Sequence, residues 1–125
     1  MFKNTASQKI AVFAWDTLAD AEITGDAANI SAQISLDGGA TAPTNDAAPT
    51  ELDATDAPGI YLFDMTQAET NADKVILFAV SSTAGVTFDP VVIYTRTGGA
   101  APDPEGPLIG GKLIRRGILG GRLVG

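Results

Sequence analysis

The sequence predicts an all-β protein: an antiparallel β-sandwich over residues 1–97, a linker over 98–107 and a glycine-rich basic arm over 108–125. Three observations lead there. Apolar and polar residues alternate along Gln8 to Trp15 and along Asn29 to Leu36, the period of strands with one wet face. Two apolar runs, Ile60 to Met65 and Val75 to Val80, are each short enough for a strand buried on one face and largely on the other. Turn residues separate these runs at short intervals, and six or seven short strands spaced in this way suit a sandwich of immunoglobulin-like type. The cysteine pair and corner tyrosine of antibody domains are not recognisable in it.

Taken in order, the first strand spans Gln8 to Trp15, with Ile10, Val12 and Ala14 on one face and Ala11, Phe13 and Trp15 on the other. Asp16 to Ala28, rich in Asp, Ala, Thr and Gly, is expected to be loop, with a turn at Gly25 and Asp26. Asn29 to Leu36 gives the cleanest alternation, placing Ile30, Ala32, Ile34 and Leu36 inward and Ser31, Gln33 and Ser35 outward. Asp37, Gly38 and Gly39 supply the positive-φ residues of a tight hairpin, so a weak strand should return through Ala40 to Pro43. Thr44 to Pro58 reads as an exposed loop with a brief edge strand near Glu51 to Ala54, and Pro58 and Gly59 as a turn.

The densest apolar stretch, Gly59 to Ser82, is the expected centre of the molecule. Between its two runs, Thr66 and Glu69 have capping-box spacing, in which hydroxyl and carboxylate satisfy each other's free backbone amides at a helix start. Strand, capped turn and strand make a corner carrying the chain from one sheet to the other. After a turn at Thr83 to Gly85, Val86 to Arg96 is the last expected strand, with Pro90 confining part of it to an edge or bulge.

Composition narrows function more by exclusion than by indication. The 125 residues suit one modest core. With no cysteine there is no disulfide, thiolate metal site or cysteine nucleophile, and with no histidine the commonest general base and zinc ligand are missing. Charge is divided along the chain. Met1 to Glu105 holds four basic residues against all fifteen acids, a balance of −11, while Gly106 to Gly125 holds Lys112, Arg115, Arg116 and Arg122 and no acid, a balance of +4. An acidic body repels nucleic acid, and the basic tail seeks an acidic surface. No stretch has the length of a membrane span, and the start, MFKNTASQKI, lacks the apolar centre of a signal peptide, so synthesis in the cytoplasm is expected.

Gly98 to Pro107 reads as the linker, and beyond it aliphatic pairs recur every five residues at Leu108 and Ile109, Leu113 and Ile114, Ile118 and Leu119, and Leu123 and Val124. Five residues rotate a helix by about 140°, so no stripe forms, and in a flat strand the pair changes face each time. Neither regular element fits. Its own contacts barely match the entropy lost in ordering, whereas pairing with other copies turns both terms favourable. The predicted assembly interface is therefore Leu108, Ile109, Leu113, Ile114, Arg115, Arg116, Ile118, Leu119, Arg122, Leu123 and Val124, with a threefold homo-oligomer favoured.

Other signals have plainer readings. Gly106 to Lys112 nearly matches a phosphate-binding loop, but Leu113 stands where magnesium binding requires Ser or Thr. Asp46, Glu51, Asp53 and Asp56 lack the regular spacing of a calcium loop. Asp16, Asp20 and Glu22 read as solvated loop charges rather than a glycosidase pair, and Trp15 as core or rim packing rather than a ligand platform. The tail lacks the aromatics of a nucleic-acid reader and the helical face of a membrane binder. No catalytic residue, metal or cofactor is expected.

Three stretches, FKNTASQKIAVFAWD, TGDAANISAQISLDGGA and ELDATDAPGIYLFDMTQAETNADKVILFAVSST, resemble a family of small proteins and N-terminal modules encoded by tailed bacteriophages. The resemblance runs from Phe2 to Tyr94 and is most specific in GDAANI, LDGGA, GIYLFDMTQAETNADK and SST. Members are described as virion or tail-associated proteins, so the resemblance implies a structural part of a phage particle and supplies no catalytic residue. Longer relatives continue into fibre-like sequence, where this chain has the glycine-rich basic repeat. The expectation is a non-enzymatic virion protein of the tail, neck or fibre-attachment region that contacts other virion proteins. The alternatives are a head decoration protein and a module binding host-surface glycan.

Overall fold

The computed structural model describes residues 1–97, and the protein is mostly β, with several small antiparallel sheets and, among those residues, no α-helix. The strands are β1 (Phe2–Lys3), β2 (Gln8–Phe13), β3 (Trp15–Asp16), β4 (Ala21–Glu22), β5 (Ile30–Leu36) and β6 (Ala42–Pro43) in the first half. The second half adds β7 (Thr50–Asp53), β8 (Ala57–Met65), β9 (Lys74–Ser81), β10 (Val86–Thr87), β11 (Val91–Tyr94) and β12 (Arg96–Thr97). Two sheets dominate, one ordered β2-β8-β7 and one ordered β11-β9-β5-β6. A small antiparallel sheet, β10-β3-β4, and a two-residue parallel pair, β1 with β12, complete the described residues.

Both large sheets turn one face to the same core. β2 contributes Ile10 and Val12, β8 Tyr61, Phe63 and Met65, β5 Ile30, Ala32 and Ile34, and β9 Val75, Leu77 and Ala79. Each set is spaced by two residues, because successive side chains of a strand point to opposite faces and only one face can be buried here. The expected inward residues of β5 are thus buried, apart from half-buried Leu36, and of the two apolar faces of the first strand it is Ile10, Val12 and Ala14 that are buried. Ser35 departs from its expected exposure: its hydroxyl donates to the Gly39 carbonyl at 2.7 Å and the hairpin covers it.

The corner between the sheets forms as the residues dictate. β8 belongs to one sheet and β9 to the other, and a 3-10 turn over Ala68–Thr70 joins them. Thr66 Oγ1 donates to Glu69 Oε2 at 2.8 Å and accepts from the Glu69 amide at 3.2 Å, and the Thr66 amide reaches the same carboxylate oxygen at 3.4 Å. This is the reciprocal capping pattern, made around a tighter turn than an α-helix. The β5–β6 hairpin likewise follows expectation: Asp37 and Gly38 have φ of 55° and 77°, and the Gly39 amide closes the turn on the Leu36 carbonyl at 3.0 Å.

Five expectations need correction. The first strand stops at Phe13, and Trp15 belongs to β3 in the small sheet. The second face of β9, expected to be largely buried, exposes Phe78 and Val80 because no layer covers it among the described residues. Asp16 to Ala28 is not loop throughout, since β3 and β4 form a minimal hairpin within it, turned by Asp16 Oδ1 accepting from the Leu18 and Ala19 amides. The last expected strand is three short ones: β10 pairs with β3, Pro90 has no amide to donate, and pairing with β9 begins only at Val91. Pro58 and Gly59 do not form a turn but lie inside β8. Gly59 keeps φ at +83° there, and a Cβ on it would sit 2.8 Å from Glu22 Cβ and 3.0 Å from Phe13 Cε1. Its carbonyl accepts from the Ala14 amide at 2.8 Å, so the glycine is where the strand bends under the end of β2.

Gly59→Ala therefore faces both a disfavoured backbone conformation and a clash with the Glu22 Cβ and the Phe13 ring. The substitution should lower unfolding free energy by about 2 to 4 kcal/mol in urea titrations, whereas Gly38→Ala, with open space around it, should cost about 1 kcal/mol.

Candidate functional site

The predicted assembly residues, Leu108 to Val124, the linker and the phosphate-loop-like Gly106 to Lys112 lie outside the described residues. The structure does place every other candidate. Asp46, Glu51, Asp53 and Asp56 do not converge, and among the described residues no three acidic side chains gather as a metal site. Each of three serves a backbone amide instead. Asp46 Oδ2 accepts from Asp64 at 2.8 Å, Glu51 Oε1 from Gly25 at 2.9 Å, and Asp53 Oδ1 from Thr55 and Asp56 at 2.8 and 3.0 Å. Asp16 turns the β3–β4 hairpin, and Trp15 is half-buried beside Phe13, the ring centroids 6.1 Å apart.

Asp26 is the most deeply buried acid of the described residues. Its Oδ1 accepts from Thr83 Oγ1 at 2.6 Å and Asn29 Nδ2 at 2.8 Å, and its Oδ2 from Ser81 Oγ at 2.6 Å. Burial alone would raise its pKa, but the three donors outweigh burial and hold the carboxyl below its ordinary value. The Asp26 amide donates to Tyr61 Oη at 3.1 Å, and Tyr61 Oη donates to the Ile23 carbonyl at 2.9 Å. Both carboxylate oxygens of Asp26 and the Tyr61 hydroxyl have protein partners, which makes this a structural lock. Sequence reading missed it because the partners stand up to 57 residues apart.

Three surfaces remain. The first is the outer face of the four-stranded sheet, where Phe78 and Val80 of β9 and Val92 and Tyr94 of β11 are exposed, Val80 by 61% and Tyr94 by 73%. Val92 pairs with Ile76 in register, so the apolar residues form a strip across two adjacent strands. An antiparallel sheet with a wet outer face usually carries polar residues there, as β5 does with Ser31 and Gln33. The second is a shallow polar hollow of about 690 Å³ where Lys9 and Asp64 pair beside Asp46, Thr66 and Gln67. The third is a groove of about 560 Å³ between β5, the β5–β6 hairpin and the Ala68–Thr70 turn.

With this geometry in place, comparison with known proteins adds no relative. No family model, curated protein or solved structure matches the chain.

The Asp26 lock has a defined pH signature. Its folded pKa lies below the ordinary 3.8, so its contribution to stability is complete above about pH 5 and is lost as pH falls through the folded value. Asp26→Ala should cost about 2 to 4 kcal/mol near neutral pH, since it leaves Ser81 and Thr83 without their acceptor. The gap to the natural protein should narrow as pH falls below the ordinary carboxylate value, in acid unfolding followed by circular dichroism.

Proposed function

We propose that the chain is a non-enzymatic structural protein of a tailed-bacteriophage virion. Its body is an immunoglobulin-like antiparallel β-sandwich displayed on the particle. Its arm, residues 108–125, joins it to other copies and to other virion proteins in the tail, neck or fibre-attachment region. Two sheets that share one core, with a corner carrying the chain between them, support the sandwich reading. The bacteriophage assignment rests on the sequence resemblance over Phe2 to Tyr94.

The observation that carries an assembly role is the apolar strip of Phe78, Val80, Val92 and Tyr94 on the outer sheet face. Contiguous apolar surface on a small soluble body marks contact surface, and a strip across two paired strands suits packing against the same strip of a second copy. The carboxylates agree with a structural role: most of those examined above hold backbone amides or hydroxyls in turns, which is scaffold work.

Two solution measurements and one micrograph test this. Full-length protein should scatter light as an oligomer and a version ending at Gly106 as a smaller species; equal monomeric masses would remove the arm from the proposal. Val80→Lys with Val92→Lys, both at exposed positions, should reduce the oligomer without lowering the unfolding midpoint. Antibody-labelled particles should show the chain on the tail or neck, and uniform labelling over the head would replace this placement with decoration.

A further inference from the structure

We infer that the groove between β5, the β5–β6 hairpin and the Ala68–Thr70 turn receives the aliphatic and basic repeat, residues 108–125, of a neighbouring copy, with a basic side chain of that repeat meeting Glu69. This rests on the proposal that the arm joins copies, and adds the surface that takes it.

The groove has the two properties such a guest requires. Buried Ile34 and half-buried Leu36 line it, so it reaches the core, and Ala40, Ala42 and Ala68 line it with side chains too small to cover them. An aliphatic pair seated there extends the core outward. Glu69 also lines the groove and is only 9% exposed. Its Oε2 is held by Thr66, while its Oε1 is shut from water and has no hydrogen-bond partner among the described residues. A carboxylate oxygen in that state destabilises the protein until a donor reaches it, which for a donor in the groove requires a side-chain shift that opens Oε1.

The repeat supplies both chemistries at close spacing. Ile114 is followed directly by Arg115 and Arg116, Lys112 precedes Leu113, and Arg122 precedes Leu123. A guanidinium offers five donors to an oxygen acceptor, and its aliphatic stem packs on the same apolar lining as the pair beside it. Charge favours the approach as well, since the repeat is +4 and the rest of the chain −11, counting the basic and acidic residues of Gly106–Gly125 and Met1–Glu105.

That the arm comes from a neighbour follows from the proposal that it joins copies. The described residues end at Thr97, paired with the N-terminal segment beside the β8–β9 corner, and the linker over 98–107 extends to about 33 to 36 Å at most. That length also spans the chain's own sheet, so a doubly substituted chain separates the two. An arm leaving one copy and entering the groove of the next makes a head-to-tail contact, and such contacts close into rings when the rotation permits, a trimer among them.

The absence of cysteine makes the test clean. Full-length chains carrying only Ala42→Cys are mixed with tagged full-length chains carrying only Ile114→Cys and oxidised, and Ala54→Cys, at an exposed position outside both the groove and the apolar strip, replaces Ala42→Cys in the control. Disulfide-linked mixed dimers with Ala42→Cys, and few with Ala54→Cys, are the expected result. Glu69→Gln keeps an acceptor for Thr66 but removes the charge, and should weaken the association roughly tenfold; an unchanged yield would overturn the ionic contact. Oligomers that cross-link only between Ile114→Cys chains, or equally well through Ala54→Cys, would overturn the groove and leave arm-driven assembly standing. A doubly substituted chain that closes on itself would assign the groove to its own arm. Monomers without any cross-link would end both proposals.

Discussion

Tyr61 projects from the middle strand of one sheet and Asp26 lies just ahead of a central strand of the other, and the hydrogen bonds between them set how the two sheets meet. Tyr61 is fully buried, so its hydroxyl is useful only if satisfied, and it reaches both the Asp26 amide and the Ile23 carbonyl. Asp26 then takes donors from Asn29 ahead of β5 and from Ser81 and Thr83 at the end of β9. Both central strands of the four-stranded sheet are thereby anchored to the middle strand of its partner. Apolar contact alone specifies no register across a core, whereas a buried carboxylate with three directional donors does.

A second lock closes the other end. Thr70 is fully buried, accepts from the Thr5 amide at 2.8 Å and lies 2.9 Å from the Thr5 carbonyl, holding the N-terminal segment against the β8–β9 corner. Beside it Arg96 lies over the Phe2 ring at 4.9 Å, where β1 and β12 pair. The first and last described segments are thus tied together, which places the point where the linker departs next to a rigid corner.

How much of this the residues disclosed in advance follows from the range of each interaction. The faces of β5 were legible from period-two alternation, which also separated the two faces of β2, and Thr66 with Glu69 from a three-residue spacing. The near-continuous apolar runs of β8 and β9 hid which face is outer, and β9 exposes Phe78 and Val80 where the run suggested burial. The β5–β6 hairpin was legible because Asp37 and Gly38 accept positive φ. Gly59 was misread because Pro58 ahead of it signals a turn, and only the closeness of Phe13 and Glu22, set by the packed sheets, shows that the glycine makes room within a strand. The Asp26 lock was invisible for the same reason, its donors being local to it only after folding. Of the proposed interface, the aliphatic pairs of the repeat were plain from residue 108 onward, but the surfaces that complement them depend on which neighbours are small and which oxygen lacks a donor.

The division of charge gives these surfaces an order of action. Acidic bodies repel at distances comparable to the Debye length, about 8 Å at physiological salt, so the outer apolar strip cannot draw two bodies together from afar. The basic repeat is attracted over the same distance. In the proposed assembly, capture of the repeat therefore precedes contact between bodies, and once a linker of bounded length holds two copies, the effective concentration of one face near the other rises without any new contact. The apolar strip then needs little affinity of its own, which is consistent with its modest width of two strands. Proposed in this way, association depends on charge for approach, on the groove for capture and on the outer face for closure, and a body with only one of the three would remain single.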